Sequence, residues 1–552
     1  MPEYLSPGVY VEEVDRGPKP IEGVGTAMAA FVGFTAKAEI TREIDGELIT
    51  QDLLNRPQLV TNWSQYVERY GEFVPGAYLS HAVYGYFTNG GTRCYIVSVR
   101  TIPKAQAALL NSEGKPQLTV RAKQAGFEGL RLRVKVEDAQ LPASKPSRRA
   151  KAKEGEDEQP PEETEEAAGE GSFTLVVERE RITGGWKTME EAKGVTLHEV
   201  VEEGQKKVRV AYKDNKAPAF VELLTPKTKV PLAKLWPRDQ EQTLNIEAKQ
   251  LPAPTSAEFQ GKVTERTGVE GLEALDDVTM VIVPDLMSPM PGQKVDLDTI
   301  KGVQTVMIAH CERLGDRVAI LDPPPDLTPQ EVKKWRMDIA GFDSSYAAMY
   351  YPWVQVMDPA TNRPINIPPS GHMAGVWARN DATRGVHKAP ANEVVQGAVG
   401  LTYQTTKGEQ DTLNPIGVNC IRAFPGRGIR VWGARTLSSN PSWRYISVRR
   451  LFNFVEKSIE GGTQWVVFEP NDRKLWARVR RDVTAFLKVV WRTGALFGST
   501  PGEAFYVKVD DELNPPETRD LGQLIIEIGL SPVKPAEFVI FRISQWAGPG
   551  AE

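Results

Sequence analysis

Two short runs, VIVPD ending at Asp285 and AILD ending at Asp322, each close an apolar stretch with a carboxylate. If those stretches are neighbouring parallel strands, both carboxylates reach the carboxyl edge of a sheet, where α/β enzymes bind ligands and where general acid–base chemistry would be done. Nothing nearby completes such a site. No G-x-G-x-x-G follows the first strand, no G-x-x-x-x-G-K-[ST] is there to cradle a phosphate, PGRGIR has the wrong glycine spacing, and no G-x-S-x-G elbow presents a serine. The five histidines, His81, His198, His310, His372 and His387, include no H-E-x-x-H pair. His310 and Cys311 are neighbours, but adjacent helical residues point about 100° apart and chelate poorly. Cys94, Cys311 and Cys420 lie far apart in apolar or β-like contexts, which suits buried reduced thiols rather than a disulfide framework or metal site. An α/β enzyme using Asp285 and Asp322 is thus a minor reading, and no cofactor or metal is expected.

The elements that must position those carboxylates are more informative. VGTAMAAFVGFTAKA (residues 24–38) reads as a small, apolar strand, WSQYVERYGEF and SHAVYGYFTNGG as two helices, and TRCYIVSVR (92–100) as a strand buried on both faces. Far downstream, DDVTMVIVPD (276–285), LDTIKGVQTVMIAHCERLG (297–315) and DRVAILDPPP form a β-α-β unit, and SSYAAMYYPWVQVMDP (344–359) supplies one further strand. Between these halves QLTVRAKQ, LRLRVKVED, SFTLVVERE and KKVRVAYK alternate polar and apolar residues, as strands of an inserted antiparallel β domain do. Within that insertion, residues 143–172 hold five basic residues followed by nine acidic ones and almost nothing apolar, the pattern of a solvated, disordered loop.

At 552 residues the chain exceeds a single core, and three or four domains are expected. Its 67 basic and 72 acidic residues leave a net charge of −5, no general attraction to nucleic acid or anionic lipid. No run of 18 apolar residues appears, nor a basic and apolar leader, so synthesis and initial residence in the cytoplasm are expected.

Both ends carry strand-forming segments. Val9, Tyr10 and Val11 follow Pro7-Gly8 near the start, and Phe538, Val539, Ile540 and Phe541 follow Pro532 and Pro535 near the end. Such segments pair either within their own domain or, as donated strands, with the sheet of a neighbouring copy. In LWARVRRDVTAFLKVVWRTGAL, Leu475, Val479, Val483, Phe486 and Val490 draw one apolar stripe, and Arg478, Arg481, Lys488 and Arg492 share the nearly opposite face. One-signed, that face fits either a solvated surface or an acidic partner.

The wording of LNPIGVNCIRAF, GRGIRVWGARTL, WRYISVRRLFNFVEKSI, QWVVFEPND and PAEFVIFRI, in that order from Leu413 to Ile543, resembles the tail sheath proteins of contractile phages and phage-tail-like injection systems. SGHMAGVWARNDATRGVHKAPAN (370–392), YLSPGVYVEE and AKQAGFEGLRLRV extend the resemblance over most of the chain, while 143–172 and much of 173–270 lie outside it. The resemblance implies a mechanical subunit without a catalytic site. It would form a helical homo-oligomer around an inner tube, contract to drive that tube through a target envelope, and meet baseplate and terminal cap proteins, with no direct contact to nucleic acid or membrane. It also implies cytoplasmic assembly into a tail or tail-like particle that can leave the cell. A static shell-forming protein is the second alternative. The expected fold is a multi-domain α+β chain. An extended arm (1–23) precedes an α/β domain (24–104 and 275–363) interrupted by a β-rich outer domain (105–274). A C-terminal α+β domain (364–530) and a strand arm (531–552) follow, with sheets completed by strands exchanged between subunits.

Overall fold

The computed structural model describes residues 21–44, 47–140, 171–181, 184–202, 205–213, 216–226, 230–246, 253–288, 295–359 and 362–542. Val9, Tyr10 and Val11, and residues 143–170 of the charged segment, lie outside the described residues.

A central sheet of eight strands organises the fold. Ala29–Thr35 lies between Cys94–Thr101 and Met280–Ile282, parallel to both, and the parallel ladder continues through Val318–Leu321, Ala347–Tyr351 and Val418–Phe424. Antiparallel strands close the two edges, Gln58–Val60 on one and Gly428–Val431 on the other. All seven residues of Ala29–Thr35 are buried, which is why that run carries no polar alternation: both faces of the sheet are covered. Ala29 and Phe31 point into one apolar cluster with helices α1 (Leu79–Thr88) and, further along the chain, 370–384. Ala30, Val32 and Phe34 point into the other with α2 (Leu297–Leu314). We label Ser370–Arg384 α3. The 297–314 helix is bounded as its sequence dictates, by the Asp296 side chain at its start and by Gly315 at φ 72° at its end.

Three expectations change here. The 276–285 stretch is a strand only over Met280–Ile282, because Pro284 opens a single 3-10 turn, Pro284–Met287. The 344–359 stretch is two strands, not one. Ala347–Tyr351 stays in the central sheet, and beyond Pro352, which has no amide hydrogen for a ladder, Val354–Asp358 joins a separate antiparallel sheet with Arg363–Ile367 and Ala398–Leu401. The central sheet also does not stop at residue 363: it takes its last two strands from 418–431 and α3 from 370–384.

Between Thr101 and Met280 the chain forms antiparallel sheets. One orders Gln205–Ala211, Trp186–Glu202, Ser172–Glu180, Leu132–Gln140 and Gln240–Thr243 side by side; the other holds Val221–Leu224, Pro116–Ala122 and Gln106–Leu110. Their alternate apolar residues, among them Val134, Val136, Leu175 and Val177, join the same cluster as α2. The last third packs two helices, α4 (Ile446–Gly462) and α5 (Arg473–Arg492), with a hairpin of Phe505–Lys508 and Glu527–Leu530.

Candidate functional site

Asp285 and Asp322 do sit past the carboxyl ends of neighbouring parallel strands, and both are buried. Each is turned inward to a different helix. The Asp285 carboxylate accepts the Phe34 amide at 2.6 Å and the Tyr78 amide, where Tyr78 is the residue before α1. Gly33 leaves it room, since a side chain there would collide with the carboxylate. Asp322 accepts the Ser370 amide at 2.9 Å and the Ser370 hydroxyl at 2.5 Å, capping the start of α3. Burial pushes both carboxyl groups up to about 7 against the opposing pull of these donors. These carboxylates pin two helix N-termini to the sheet.

The three thiols are buried, and burial pushes each up. Burial likewise holds the imidazoles of His81, His310 and His372 down to about 4. Among the described residues no cluster of three potential metal ligands occurs, and no helix is long and apolar enough to cross a membrane.

The terminal segments are where the surface departs from that of a self-contained domain. Phe538, Val539, Ile540 and Phe541 are four consecutive large apolar residues, 69–83% exposed and outside every strand among the described residues. A run of that kind in water signals a missing partner. The chain is held up to this point: Val533 donates its amide to Ala495 O at 3.2 Å, and Ser531 to Ala504 O at 2.9 Å. The carboxylate of Glu537 then meets Arg435, Asn414 and Tyr445. At the other end, Ile21 is buried in the α4–α5 cluster and Val24 donates its amide to Ser458 Oγ at 3.1 Å. Arg450, buried on α4, donates to Thr26 O at 2.8 Å and to Asp381 on α3. The hairpin of 505–508 and 527–530 forms a two-stranded sheet of its own, with Tyr506 and Ile525 exposed.

Helix α5 keeps the periodicity read from its sequence, with Leu475, Val479, Val483, Phe486 and Val490 buried. Arg478, Arg481, Lys488 and Arg492 are all exposed. Two of them have partners within the chain. Arg478 lies 3.7 Å from Glu469 and stacks on Trp465 at 4.4 Å, and Arg481 lies 3.0 Å from Asp482, an acid buried at the edge of the stripe. Exposed Lys474, one turn before Arg478, adds a fifth cation to the face, which a reading that began the helix at Leu475 missed. Glu537 was missed for another reason: its partner Arg435 is 102 residues away, and only the lone acid in an apolar run hinted at a role.

Comparison with known proteins bears on these surfaces. Two adjoining family models match, the phage tail sheath protein central domain over residues 266–437 and the phage tail sheath C-terminal domain over residues 438–545, together just over half of the chain. A prophage major tail sheath protein of Pseudomonas aeruginosa (strain UCBPP-PA14) is 29% identical over 319 residues, 55% of this chain and 77% of that protein. The tail sheath protein of Vibrio phage KVP40 is 25% identical over 207 residues, 37% of this chain and 30% of its own length, so this chain spans under a third of that relative. Among solved structures, the sheath of an extracellular contractile injection system, PVC, in its contracted state shares the fold with a TM-score of 0.54 at 22% identity, covering 99% of each chain. With matching domain models in chain order and a shared fold along nearly its whole length, the chain belongs to the phage tail sheath family.

Proposed function

We propose that the protein is the structural and mechanical subunit of a contractile sheath. Copies polymerise helically around an inner tube, are linked by donated terminal strands, and contract to drive the tube through a target envelope. The observation that carries this reading is the exposed run Phe538–Phe541, an edge-seeking segment that a closed, self-sufficient domain would not display. Its natural acceptor in a second copy is the two-stranded hairpin of 505–508 and 527–530, to which added strands would contribute main-chain hydrogen bonds. Residues 1–20, with Val9, Tyr10 and Val11, would supply the second donated strand.

The α5 cations, Arg478, Arg481, Lys488 and Arg492, face the tube in this reading. Each exposed pair contributes only about 0–1 kcal/mol, yet repetition around every ring sets register while leaving the contact weak enough to release. Baseplate and terminal cap proteins bound the sheath at its two ends. Assembly takes place in the cytoplasm, as part of a tail or tail-like particle that can be released. Electron microscopy of the purified protein tests the reading: helical tubes or short sleeves with a central channel are expected. Uniform small closed oligomers across salt and protein concentrations would overturn it.

A further inference from the structure

The apolar run that leaves the body at Phe538 is preceded by the most heavily bonded carboxylate of the C-terminal segment. Glu537 Oε1 accepts from Arg435 Nε at 2.9 Å and from Asn414 Nδ2 at 2.7 Å, and Oε2 accepts from Arg435 Nη2 at 2.7 Å and from Tyr445 Oη at 3.0 Å. The pair is largely shielded, the side chains being 10% exposed for Arg435 and 19% for Glu537. A bidentate, charge-assisted contact in such surroundings is stronger and more directional than a surface ion pair. Its foundations are firm. The Arg435 amide donates to Asn419 Oδ1 at 2.7 Å, and Asn419 Nδ2 donates to Met349 O at 3.1 Å in the central sheet. Tyr445 is the residue immediately before α4. Past Glu537, no hydrogen bond holds the backbone of residues 538–542 among the described residues.

The N-terminal segment is fastened to the same helix. Val24 bonds Ser458, Thr26 O receives Arg450, and Ile21 packs against Gly462 at the far end of α4. The C-terminal segment therefore meets α4 just before its first residue, while the N-terminal segment lies along the same 17-residue helix, about 25 Å long, from Arg450 to Gly462.

Building on the strand-donation reading above, we propose that Glu537 is the positioning residue of the C-terminal arm. It is the fixed pivot at which a pull by a neighbouring copy enters the body, and α4 is the tie that carries that pull to the N-terminal root. Load entering at Glu537 then divides between α4, reached through Tyr445, and the central sheet, reached through Arg435 and Asn419. The body keeps its shape while the segment beyond the pivot changes direction.

The test uses the full-length chain carrying Glu537→Ala or Glu537→Gln, the charge-swapped pair Glu537→Arg with Arg435→Glu, and a chain ending at Glu537. Each is measured for monomer melting, tube formation, and the fraction of subunit released when tubes are sheared. Glu537→Ala should lower monomer melting modestly, since it leaves Arg435 without its carboxylate, and form tubes that release roughly tenfold more subunit, as expected for loss of one strong charge-assisted contact. Glu537→Gln should fall between, and the charge swap should regain shear resistance. Glu537→Ala tubes as shear-resistant as the wild type, or a release that tracks lowered melting and is not regained by the swap, would overturn the pivot. The shortened chain separates the two ideas: if it forms shear-resistant tubes, strand donation itself is wrong. If it fails to form them while Glu537→Ala behaves as wild type, only the pivot is wrong.

Discussion

The Asp381 carboxylate lies 2.5 Å from the Arg450 guanidinium, with both side chains only 4% exposed. Arg450 also stacks on Trp377 at 4.7 Å, and Thr26 Oγ1 donates to Asp381 at 2.6 Å, so one buried pair joins α3, α4 and the N-terminal root. Burying two charges is costly and this pair offers only modest net stability, but removing one partner strands the other. Asp381→Ala should therefore destabilise the unassembled subunit by about 3–5 kcal/mol in urea unfolding, and Asp381→Leu with Arg450→Met by much less. Equal losses for the single and double variants would show that packing, not charge, holds this junction.

The clamps at Asp285 and Asp322 carry a pH signature. Both carboxyl groups stand at about 7 when folded, against 3.8 ordinarily, because of burial. The folded state thus holds its protons more tightly than the unfolded one. The stabilisation is complete below the unfolded value and is lost as pH rises through about 7. Melting of the unassembled subunit should drop by a few degrees between about pH 6 and about pH 8.5, and Asp285→Asn with Asp322→Asn should flatten that slope. A slope identical in the double variant would remove these two groups as its cause.

Reversing Arg481 and Lys488 to Glu should leave the fold intact, exposed Lys488 costing less than about 1 kcal/mol and Arg481 costing more because it partners the buried Asp482. The same change should yield sheath that contracts prematurely or polymerises without tube. Normal assembly around the tube that stays extended at high salt would make the face an ordinary solvated one.

Deleting residues 1–13 should leave a folded, soluble subunit, because the described anchors begin at Ile21, but one that forms no connected sheath. Tubes of normal length that still contract would show that segment to be dispensable.

What was legible in the sequence follows from the range of the interactions involved. Ala29–Thr35 and Cys94–Thr101 announce themselves because a strand covered on both faces must be apolar throughout, and the α5 stripe because burial on one side imposes a period of 3.6 residues. The antiparallel character of the 105–274 region was readable from alternation. Pro352 could have been read as a break, since a central strand tolerates no missing donor. That 418–431 completes the central sheet was not readable, because pairing with Ala347–Tyr351 leaves no local mark on either strand. The same holds for Glu537 with Arg435, and for Arg450, a cation buried only because α3 delivers a carboxylate to it.

Gln140 and Ser172 stand opposite each other on antiparallel neighbours, so the stretch between them leaves and re-enters the body about 5 Å apart. A foreign folded domain whose own termini lie side by side could be spliced between these two residues with only short linkers, because the gap to be closed is a single strand spacing. In a helical polymer of the chain, every copy would carry its passenger at an equivalent position. The hairpin at 140 and 172 is thus a socket for periodic display, available to enzymes, antigens or fluorophores arrayed along a filament.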